Sequence, residues 1–366
     1  MNEDRAVRYH RLRRRAAVVS TALAASALIA LLASGWSVLL AGRLIALGGP
    51  VMRVAFFTAV LALGWELLSL PLTFYRSFLL DRKYGLSFET LGTWLGDQGK
   101  ALAIGLPLTI GAALAVYGSI AMWPRAWWLV ATALFAAVAL LFSQIAPVAL
   151  MPLFYRFTPL ERESLRDRLL AISKRAGVPV IGVFEWGLGE KTTRANAALV
   201  GMGRTRRILV SDTLLKDYSD DEVEVILAHE LSHHVHHDLW VGLAVEAAIV
   251  GASLAAASAA IGWFGPSFGI ARASDVAGLP LLVLAGGAVS LLLTPCANAW
   301  SRRNERRADR FALHLTGRPA SFISAMRRLG AQNLAEEHPS RPAFWFFHTH
   351  PTIEQRIAEA RSFTTG

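Results

Sequence analysis

The sequence is poor in cysteine and in charge. Cys296 is the single cysteine among 366 residues, so an intrachain disulfide is excluded, and no histidine stands beside this thiol in the sequence to activate it. Charged residues make up only 17% of the chain, whereas 54% is hydrophobic and the mean hydropathy is +0.41. This balance argues against an ordinary soluble protein of this length and indicates a membrane protein.

Apolar stretches long enough to cross a bilayer occur repeatedly. They lie near residues 16–42, 51–75, 101–123, 126–150, 239–264 and 279–299. The first stretch is too long, and its basic flank too extensive, for a cleavable signal peptide, so we interpret it as a retained helix. A buried core helix is the alternative for any one stretch, but not for all of them together. The sequence therefore predicts a predominantly α-helical integral membrane protein with about six transmembrane helices.

Basic residues are distributed unevenly between the predicted spans, and the formal net charge is +10. If the N-terminus is inside, only Arg43, Arg53, Arg125 and Arg272 of the 37 Lys and Arg residues fall on the outer side. This asymmetry predicts a cytoplasmic N-terminus and a cytoplasmic polar block at 156–238. No basic stripe interleaved with aromatic residues appears, so we expect the basic residues to face anionic lipid rather than nucleic acid.

The chain divides into two predicted domains. Residues 1–155 form an N-terminal membrane domain with four spans and a cytoplasmic loop at 76–100. Residues 156–366 form the second domain, which contains two further spans, at about 239–264 and 279–299. Its polar segment predicts a helix at 161–176 and strands at 180–184, 197–200 and 207–210. Ser219 and Glu222 have the spacing of a capping box that begins the next helix.

His229-Glu230-Leu231-Ser232-His233 is the most informative motif in the chain. On a helix, residues four apart share one face, so His229 and His233 can bind one tetrahedral metal ion. Glu230 follows the first histidine, where it can accept a proton from a water that the metal activates. The alternative is a histidine-rich helix surface. The capping box upstream supports the helix that the metal geometry requires.

A catalytic zinc site needs a third protein ligand and an open position. Glu305 and Asp309 follow the last apolar stretch and are also four residues apart. We predict that Glu305 is the third ligand and that Asp309 accepts a hydrogen bond from a ligand histidine. The alternative is that both acids form ion pairs with the arginines around them, at 302, 306 and 310.

Other polar residues offer further interpretations of the site. A fully coordinated, structural zinc site could use the histidines that follow the motif, at 234, 236 and 237, and it would not hydrolyse anything. Near the C-terminus, His350 and Arg356 are candidate donors to an oxyanion that develops on a peptide carbonyl. The alternative for that pair is ordinary surface polarity.

These motifs resemble the type I CAAX prenyl endopeptidases, a family of integral membrane zinc proteases. The resemblance extends over about 74–360. It rests on the segments 78–87, 97–100, 147–160, 194–197, 212–215, 229–233, 305–309 and 350–356 in this order. The segments 194–197 and 212–215 look like the strands that precede the motif helix. The eukaryotic proteins usually have seven spans, whereas this sequence predicts six.

The resemblance implies a cytoplasmic, gluzincin-like α+β zinc-metalloprotease domain with one Zn²⁺ per chain. It implies that His229, His233 and Glu305 bind zinc and that Glu230 is the general base and acid. Asp309 would orient a ligand, and His350 and Arg356 would stabilise the transition state. The remaining implied positions are Asn196 and Ala197, on an edge strand that pairs with an extended substrate, and Glu66 and Glu246, lining a water-filled chamber between the spans.

We therefore predict a zinc-dependent membrane endopeptidase that acts on peptide or protein substrates, including prenylated or membrane-associated ones. The Ala- and Arg-rich composition indicates a bacterial source, and hence a bacterial inner membrane. Because bacteria generally lack prenylated CAAX proteins, a role in membrane quality control is an equal candidate. The alternatives are a heat-shock-type membrane protease, which usually has two spans before the motif rather than four, and a non-catalytic zinc-binding transporter or scaffold.

Overall fold

A computed structural model describes residues 2–201 and 203–363 as a long-helix bundle joined to a small mixed domain. The first helices are α1 (Asn2–Ala33), α2 (Trp36–Arg43), α3 (Pro50–Phe74), α4 (Leu80–Lys83), α5 (Leu91–Met122) and α6 (Trp127–Ile145). They are followed by α7 (Glu163–Arg175), α8 (Asp212–Asp217), α9 (Asp220–Val235), α10 (Asp238–Phe264) and α11 (Leu279–Thr316). The last three are α12 (Pro319–Gln332), α13 (Arg341–Phe347) and α14 (Ile353–Arg361).

Within residues 2–201 and 203–363, six helices are long and apolar enough to cross a membrane. These are α1, α3, α5, α6, α10 and α11, so the predicted number of spans is confirmed. The predicted first stretch, 16–42, is wrong in one respect, because two helices cover it. Gly35 separates α1 from α2 with a φ of 74°, a left-handed conformation that glycine adopts without strain.

The predicted loop at 76–100 is largely helical. A π-helical turn at Tyr75–Leu79 continues α3 directly into α4, and α5 begins at Leu91. Only residues 84–90 of this region lie outside a helix. A helix can continue in water beyond the bilayer when its residues are good helix formers, so the end of an apolar stretch need not be the end of the helix.

The six long helices form a ring. α1 packs against α11 and α3, α3 against α5, α5 against α6, α6 against α10, and α10 against α11. In five of these helices at most 17% of the residues in the apolar 18-residue segment are buried by protein. Most of their side chains therefore face lipid or the space inside the ring. A cluster that includes the fully buried Phe57 and Trp127 packs the end of the ring that lies far from the His229 motif.

The second domain contains a four-stranded sheet. Its strands are β1 (Phe157–Pro159), β2 (Val183–Trp186), β3 (Ala197–Val200) and β4 (Arg207–Ser211), in the order β1-β2-β4-β3. β2 is parallel to β4, whereas β1 and β3 are antiparallel to their neighbours. Gly201 turns the chain after β3 with a φ of 84°, and a Cβ there would lie 2.6 Å from the carbonyl oxygen of Thr205. Only glycine fits that turn.

Two expectations about this region are wrong. The strand predicted at 180–184 lies at Val183–Trp186, because pairing with β4 sets its position. The segment 212–215 is not a strand but the start of α8, since the hydroxyl of Ser211 accepts a hydrogen bond from the backbone N–H of Leu214 and caps that helix. The predicted helix at 161–176 and the strands at 197–200 and 207–210 are confirmed within two residues.

α9 lies at the centre of this domain. It packs against α7, α11, α12 and β3, and Leu227 and Leu231 are fully buried there. Truncating one such leucine to alanine would cost about 2–5 kcal/mol. The helix that carries the motif is therefore held on all sides, which fixes the direction of its polar side chains.

The start of α1 is tied to the second domain by polar contacts. Arg14 donates to Glu336 at two atoms, one of them at 3.0 Å, and His10 Nε2 lies 2.7 Å from the carbonyl oxygen of Leu334. Glu336 is buried. Its carboxylate thus connects a helix of the ring to the segment that leads into α13.

Candidate metal centre

The motif helix begins as the sequence predicts. The Ser219 hydroxyl accepts from the backbone N–H of Glu222, and the Glu222 carboxylate accepts from the backbone N–H of Ser219. The helix then continues through the motif to Val235. His229 and His233 lie on one face with ring centroids 5.1 Å apart, so the i, i+4 geometry needed for a shared metal is present.

Glu305 comes to the same place from α11. Its Oε2 lies 3.2 Å from His229 Nε2, and its Oε1 lies 3.6 Å from His233 Nε2. The three ligand atoms lie within 4.8 Å of one another. Glu305 Oε2 is buried without a hydrogen-bond partner in the described structure. Two imidazole nitrogens and an unpartnered buried carboxylate oxygen form a donor set that fits zinc.

The other ring nitrogen of each histidine faces a carboxylate. His229 Nδ1 lies 2.9 Å from Asp309 Oδ1, and His233 Nδ1 lies 2.8 Å from Asp238 Oδ2. Arg307 in turn donates to Asp238. Both Nε2 atoms are thus directed at the shared site, as metal-binding histidines require. Asp238 was not among the predicted site residues, although an acidic residue just after the motif is visible in the sequence.

Arg356 lies behind Asp309 in the interior. Its Nε donates to Asp309 Oδ2 at 2.9 Å and its Nη2 to Oδ1 at 2.5 Å, while Nη2 is also 3.3 Å from His229 Nδ1. Asp309 is 0% exposed and Arg356 only 9%. Such a bidentate, buried pair holds both groups in fixed positions. In the described structure Glu305 faces the histidines of the motif and Asp309 pairs with Arg356, so the alternative of ion pairs with the arginines at 302, 306 and 310 is wrong.

Glu230 and His350 lie at the same centre. Glu230 is partly buried next to the first histidine of the motif. His350 comes from the segment before α14, its Nε2 lies 3.4 Å from Glu305 Oε1, and its side chain is 59% exposed. His350 is therefore open to a bound molecule and still within reach of the site.

The histidines after the motif point elsewhere. His234 Nε2 lies 3.0 Å from the carbonyl oxygen of Leu199, and His236 Nδ1 lies 2.8 Å from the carbonyl oxygen of Ser232. His237 turns the chain between α9 and α10 with a φ of 57°. Among the described residues, the group with metal-binding spacing is His229, His233 and Glu305. The alternative of a structural zinc site at 234–237 is therefore wrong.

β3 is an edge strand beside α9. The carbonyl of Asn196 accepts from the backbone N–H of Ser211 at 2.9 Å, so the backbone of Asn196 faces β4. In an antiparallel pair this direction alternates, and the N–H and C=O groups of Ala197 and Leu199 therefore point away from the sheet. The contact between His234 and the Leu199 carbonyl agrees with this. The backbone N–H and C=O of Ala197 thus face away from β4, in a residue that is only 7% exposed.

Burial and neighbouring charges shift the pKa values of two groups in the motif, His229 and Glu230. Burial disfavours the charged form of His229, but the carboxylates of Asp309 and Glu305 outweigh it and raise its pKa to about 9. Burial raises the pKa of the Glu230 carboxyl, although the neighbouring histidines oppose that shift. A metal that binds His229 must therefore displace a proton.

The ring of apolar helices and the His-Glu-His-Glu centre define a membrane-embedded zinc metallopeptidase. The family model described as "Peptidase family M48" matches residues 159–364. A second model, described as "CAAX prenyl protease N-terminal, five membrane helices", matches residues 2–156. Because the first match covers more than half of the chain, the chain belongs to peptidase family M48. The segment of the second match contains four long apolar helices and the shorter apolar helix Trp36–Ala46.

Known proteins agree with this assignment. The "Uncharacterized metalloprotease YhfN" of Bacillus subtilis is 30% identical over 84% of this chain and 73% of its own length. The "Probable CAAX prenyl protease 1" of Schizosaccharomyces pombe is 28% identical over 87% of this chain and 68% of its own. The crystal structure of S. mikatae Ste24p has the same fold, with a TM-score of 0.87 at 20% identity, over 98% of this chain and 89% of that one.

The comparisons also decide between the classes considered from the sequence. The chain is a zinc-dependent metalloendopeptidase of the membrane, with peptide or protein substrates, and not a non-catalytic transporter or scaffold. Four long apolar helices precede α9, and the N-terminal match covers all of them. Both observations favour the prenyl-protease type over the heat-shock type.

Proposed function

We propose that His229, His233 and Glu305 bind the zinc ion and that Glu230 is the general base and acid of peptide hydrolysis. The observation that carries this proposal is the convergence of both Nε2 atoms on the carboxylate of Glu305, one oxygen of which has no hydrogen-bond partner. A zinc ion held by these residues would supply Lewis acidity to the scissile carbonyl and would make a water more acidic. Glu230 accepts the proton of the attacking water and passes it to the leaving amine.

Asp309 and Arg356 position the site, and His350 contacts the substrate. Asp309 holds the imidazole of His229 through Nδ1, and Arg356 holds Asp309 from the other side. The Nη1 of Arg356 has no described hydrogen bond, which leaves a donor for the developing oxyanion. His350 is exposed at the mouth of the site, so it reaches the same oxygen from the substrate side.

An extended peptide pairs with the free edge of β3. The outward N–H and C=O of Ala197 supply backbone hydrogen bonds, and Asn196 begins that edge. Backbone pairing of this kind does not demand a particular sequence. The substrate class is therefore membrane-associated peptides and proteins, both prenylated and not prenylated. The relatives named CAAX prenyl proteases support the prenylated part of this class.

Substrates reach the site through a water-filled chamber inside the helix ring. Glu66 on α3 and Glu246 on α10 are exposed in the described structure, and a carboxylate facing lipid would be costly. We assign both to the inner wall of the ring. The polar block at 156–238 and the N-terminus lie in the cytoplasm, because the basic residues concentrate on that side. The composition supports a bacterial inner membrane.

The metal assignment is tested by zinc content. His229→Ala should purify without stoichiometric zinc, whereas His234→Ala, which changes a neighbouring histidine bonded to Leu199, should keep one zinc per chain. Unchanged zinc content in His229→Ala would contradict the ligand assignment.

The substrate assignment is tested by trapping. Glu230→Gln should retain peptides in its native membrane without releasing products, and their identification by mass spectrometry gives the substrate class. We expect captured peptides with and without prenyl groups. Capture of prenylated peptides alone would contradict recognition through the backbone.

A further inference from the structure

A basic cavity lies on the face of α11 that points away from the zinc site. Its volume is about 480 Å³, and it is lined by His236, Arg303, Arg307, Arg310, Phe311 and His314. On a helix with 3.6 residues per turn, positions 303, 307, 310 and 314 lie on one face. Glu305 and Asp309 lie on the opposite face. The cavity therefore lies on the other side of α11 from Glu305, and Arg307 connects the two sides through its hydrogen bond to Asp238, which contacts His233.

The cavity begins where the apolar surface of the bundle ends. Trp240 at the start of α10 is 48% exposed, and Trp300 on α11 packs close to Gly242 at the same level. Tryptophans of this kind mark the boundary between the bilayer core and the headgroups. Arg303 lies three residues beyond Trp300 and Arg310 ten residues beyond it, which at 1.5 Å per residue places them about 5–15 Å past that boundary. This is the depth of lipid headgroups.

The cavity holds more positive charge than its carboxylates neutralise. Arg307 donates to Asp238, and Arg310 Nε lies 3.1 Å from Glu359 Oε1. Arg303 is exposed and has no ion pair with any carboxylate in the part of the chain that the structure describes. A guanidinium in this position is free to form bidentate hydrogen bonds with an anion.

His236, just after the motif helix, forms part of the cavity wall. Its Nδ1 donates to the carbonyl oxygen of Ser232, and its ring packs edge-on against Phe311 at 5.7 Å between centroids. The guanidinium N–H groups of the three arginines around this cavity suit a group with several acceptor oxygens, such as a phosphate.

We propose that this cavity binds the phosphate of an anionic phospholipid headgroup. Arg303 supplies the unpaired charge, Arg307 and Arg310 extend it, and His236 lies at the inner wall. A lipid rather than free phosphate is the source, because the cavity opens at the headgroup level beside the apolar surface of α10 and α11. Basic pockets at this level of a membrane protein attract anionic headgroups.

The proposal is tested by lipid retention measured with native mass spectrometry. The wild-type protein is exchanged into micelles containing phosphatidylcholine and phosphatidylglycerol in equal amounts, and the bound lipids are counted. Arg303→Gln removes the unpaired charge, and Arg306→Gln is the matched control, because Arg306 is exposed on the same helix and does not line the cavity. Zinc content and thermal unfolding check that both variants are folded.

We expect wild type and Arg306→Gln to retain phosphatidylglycerol in preference to phosphatidylcholine. Arg303→Gln should weaken this preference about fivefold or more. Equal retention in all three proteins would overturn the proposal. In a second arm, inorganic phosphate replaces the lipid at the same concentration, and thermal stabilisation is measured. Stabilisation by phosphate that depends on Arg303, without any by phosphatidylglycerol, would overturn the assignment to a lipid.

Discussion

Replacing Asp309 is expected to lower both the zinc affinity and the folding stability of the protein, and a second substitution at Arg356 distinguishes the two effects. The side chain is 0% exposed, and its carboxylate contacts His229 Nδ1 and two nitrogens of Arg356. Asp309→Asn keeps the volume and one acceptor oxygen but removes the negative charge. His229 then loses the anion that orients its ring, and Arg356 keeps an uncompensated charge in the interior.

The two consequences have different sizes. Loss of the group behind a metal-binding histidine lowers metal affinity about 10–100-fold, which is about 1.4–2.7 kcal/mol. Removal of one partner of a buried ion pair costs about 3–5 kcal/mol of folding stability. The loss of folding stability in the metal-free protein should therefore be larger than the loss of zinc-binding free energy. In Asp309→Asn/Arg356→Gln both charges are gone, so most of the stability should return while the zinc affinity stays low.

Zinc affinity is measured by competition with a chelator, and stability by thermal unfolding of the metal-free protein in detergent. Both are compared among wild type, the single variant and the double variant. If Asp309→Asn binds zinc within threefold of wild type, Asp309 does not position His229. If the double variant is as unstable as the single one, the buried charge of Arg356 is not the source of the loss.

Three further predictions concern other contacts. Asp238→Asn should weaken zinc binding about tenfold by chelator competition, because the carboxylate that orients His233 is lost; an unchanged affinity would show that Asp238 is dispensable. Ala197→Pro removes one outward N–H, so KM for extended peptides should rise about two- to tenfold at constant zinc content, and an unchanged KM would exclude pairing at this edge. Glu336→Gln should lower stability by about 1.5–3 kcal/mol above pH 5, because burial opposes the charge of Glu336 but Arg14 outweighs it and lowers its pKa. The ion pair stabilises the protein fully above the pKa of Glu336 in the unfolded state, near 4.3, and this stabilisation is lost as the pH falls through the lower pKa of the folded state. The stabilities of wild type and variant should therefore become equal in acid. A stability difference that stays constant at all pH values would contradict the ion pair.

Local sequence signals predicted the parts of the site that lie on one helix. The capping box at Ser219 and Glu222 and the i, i+4 spacing of His229 and His233 both depend on helix geometry alone, and both are present. Glu305 could be proposed because it follows the sixth span, but its contact with the motif depends on the packing of α9 against α11. That contact is a tertiary one, so a local sequence pattern cannot predict it.

The features that the sequence did not reveal depend on turns and pairing. Asp238 reaches back to His233 because His237 adopts a left-handed conformation between α9 and α10. The position of β2 is set by its pairing with β4, and the residue pattern of a single strand carries no information about that pairing. The segment 212–215 was expected to be a strand because of its resemblance to the family, whereas the N-cap residue Ser211 indicates the helix that the structure has there.

The domain boundary at 155/156 and the cytoplasmic orientation stay predictions. Labelling of single cysteines introduced at exposed positions such as Glu163 and Arg125, in a background where Cys296 is serine, would test the orientation. We expect membrane-impermeant reagents added outside the cell to reach position 125 and not position 163.

Zinc content and hydrolysis measured together on Glu230→Gln test the central claim most directly. Glu163→Gln is the matched control, because Glu163 is exposed at the start of α7, far along the chain from the motif. We predict one zinc per chain in both variants, and peptide hydrolysis that falls about 10²–10⁴-fold in Glu230→Gln while Glu163→Gln cleaves like wild type. Hydrolysis by Glu230→Gln at the wild-type rate, with zinc bound, would contradict the assignment of Glu230 as the general base.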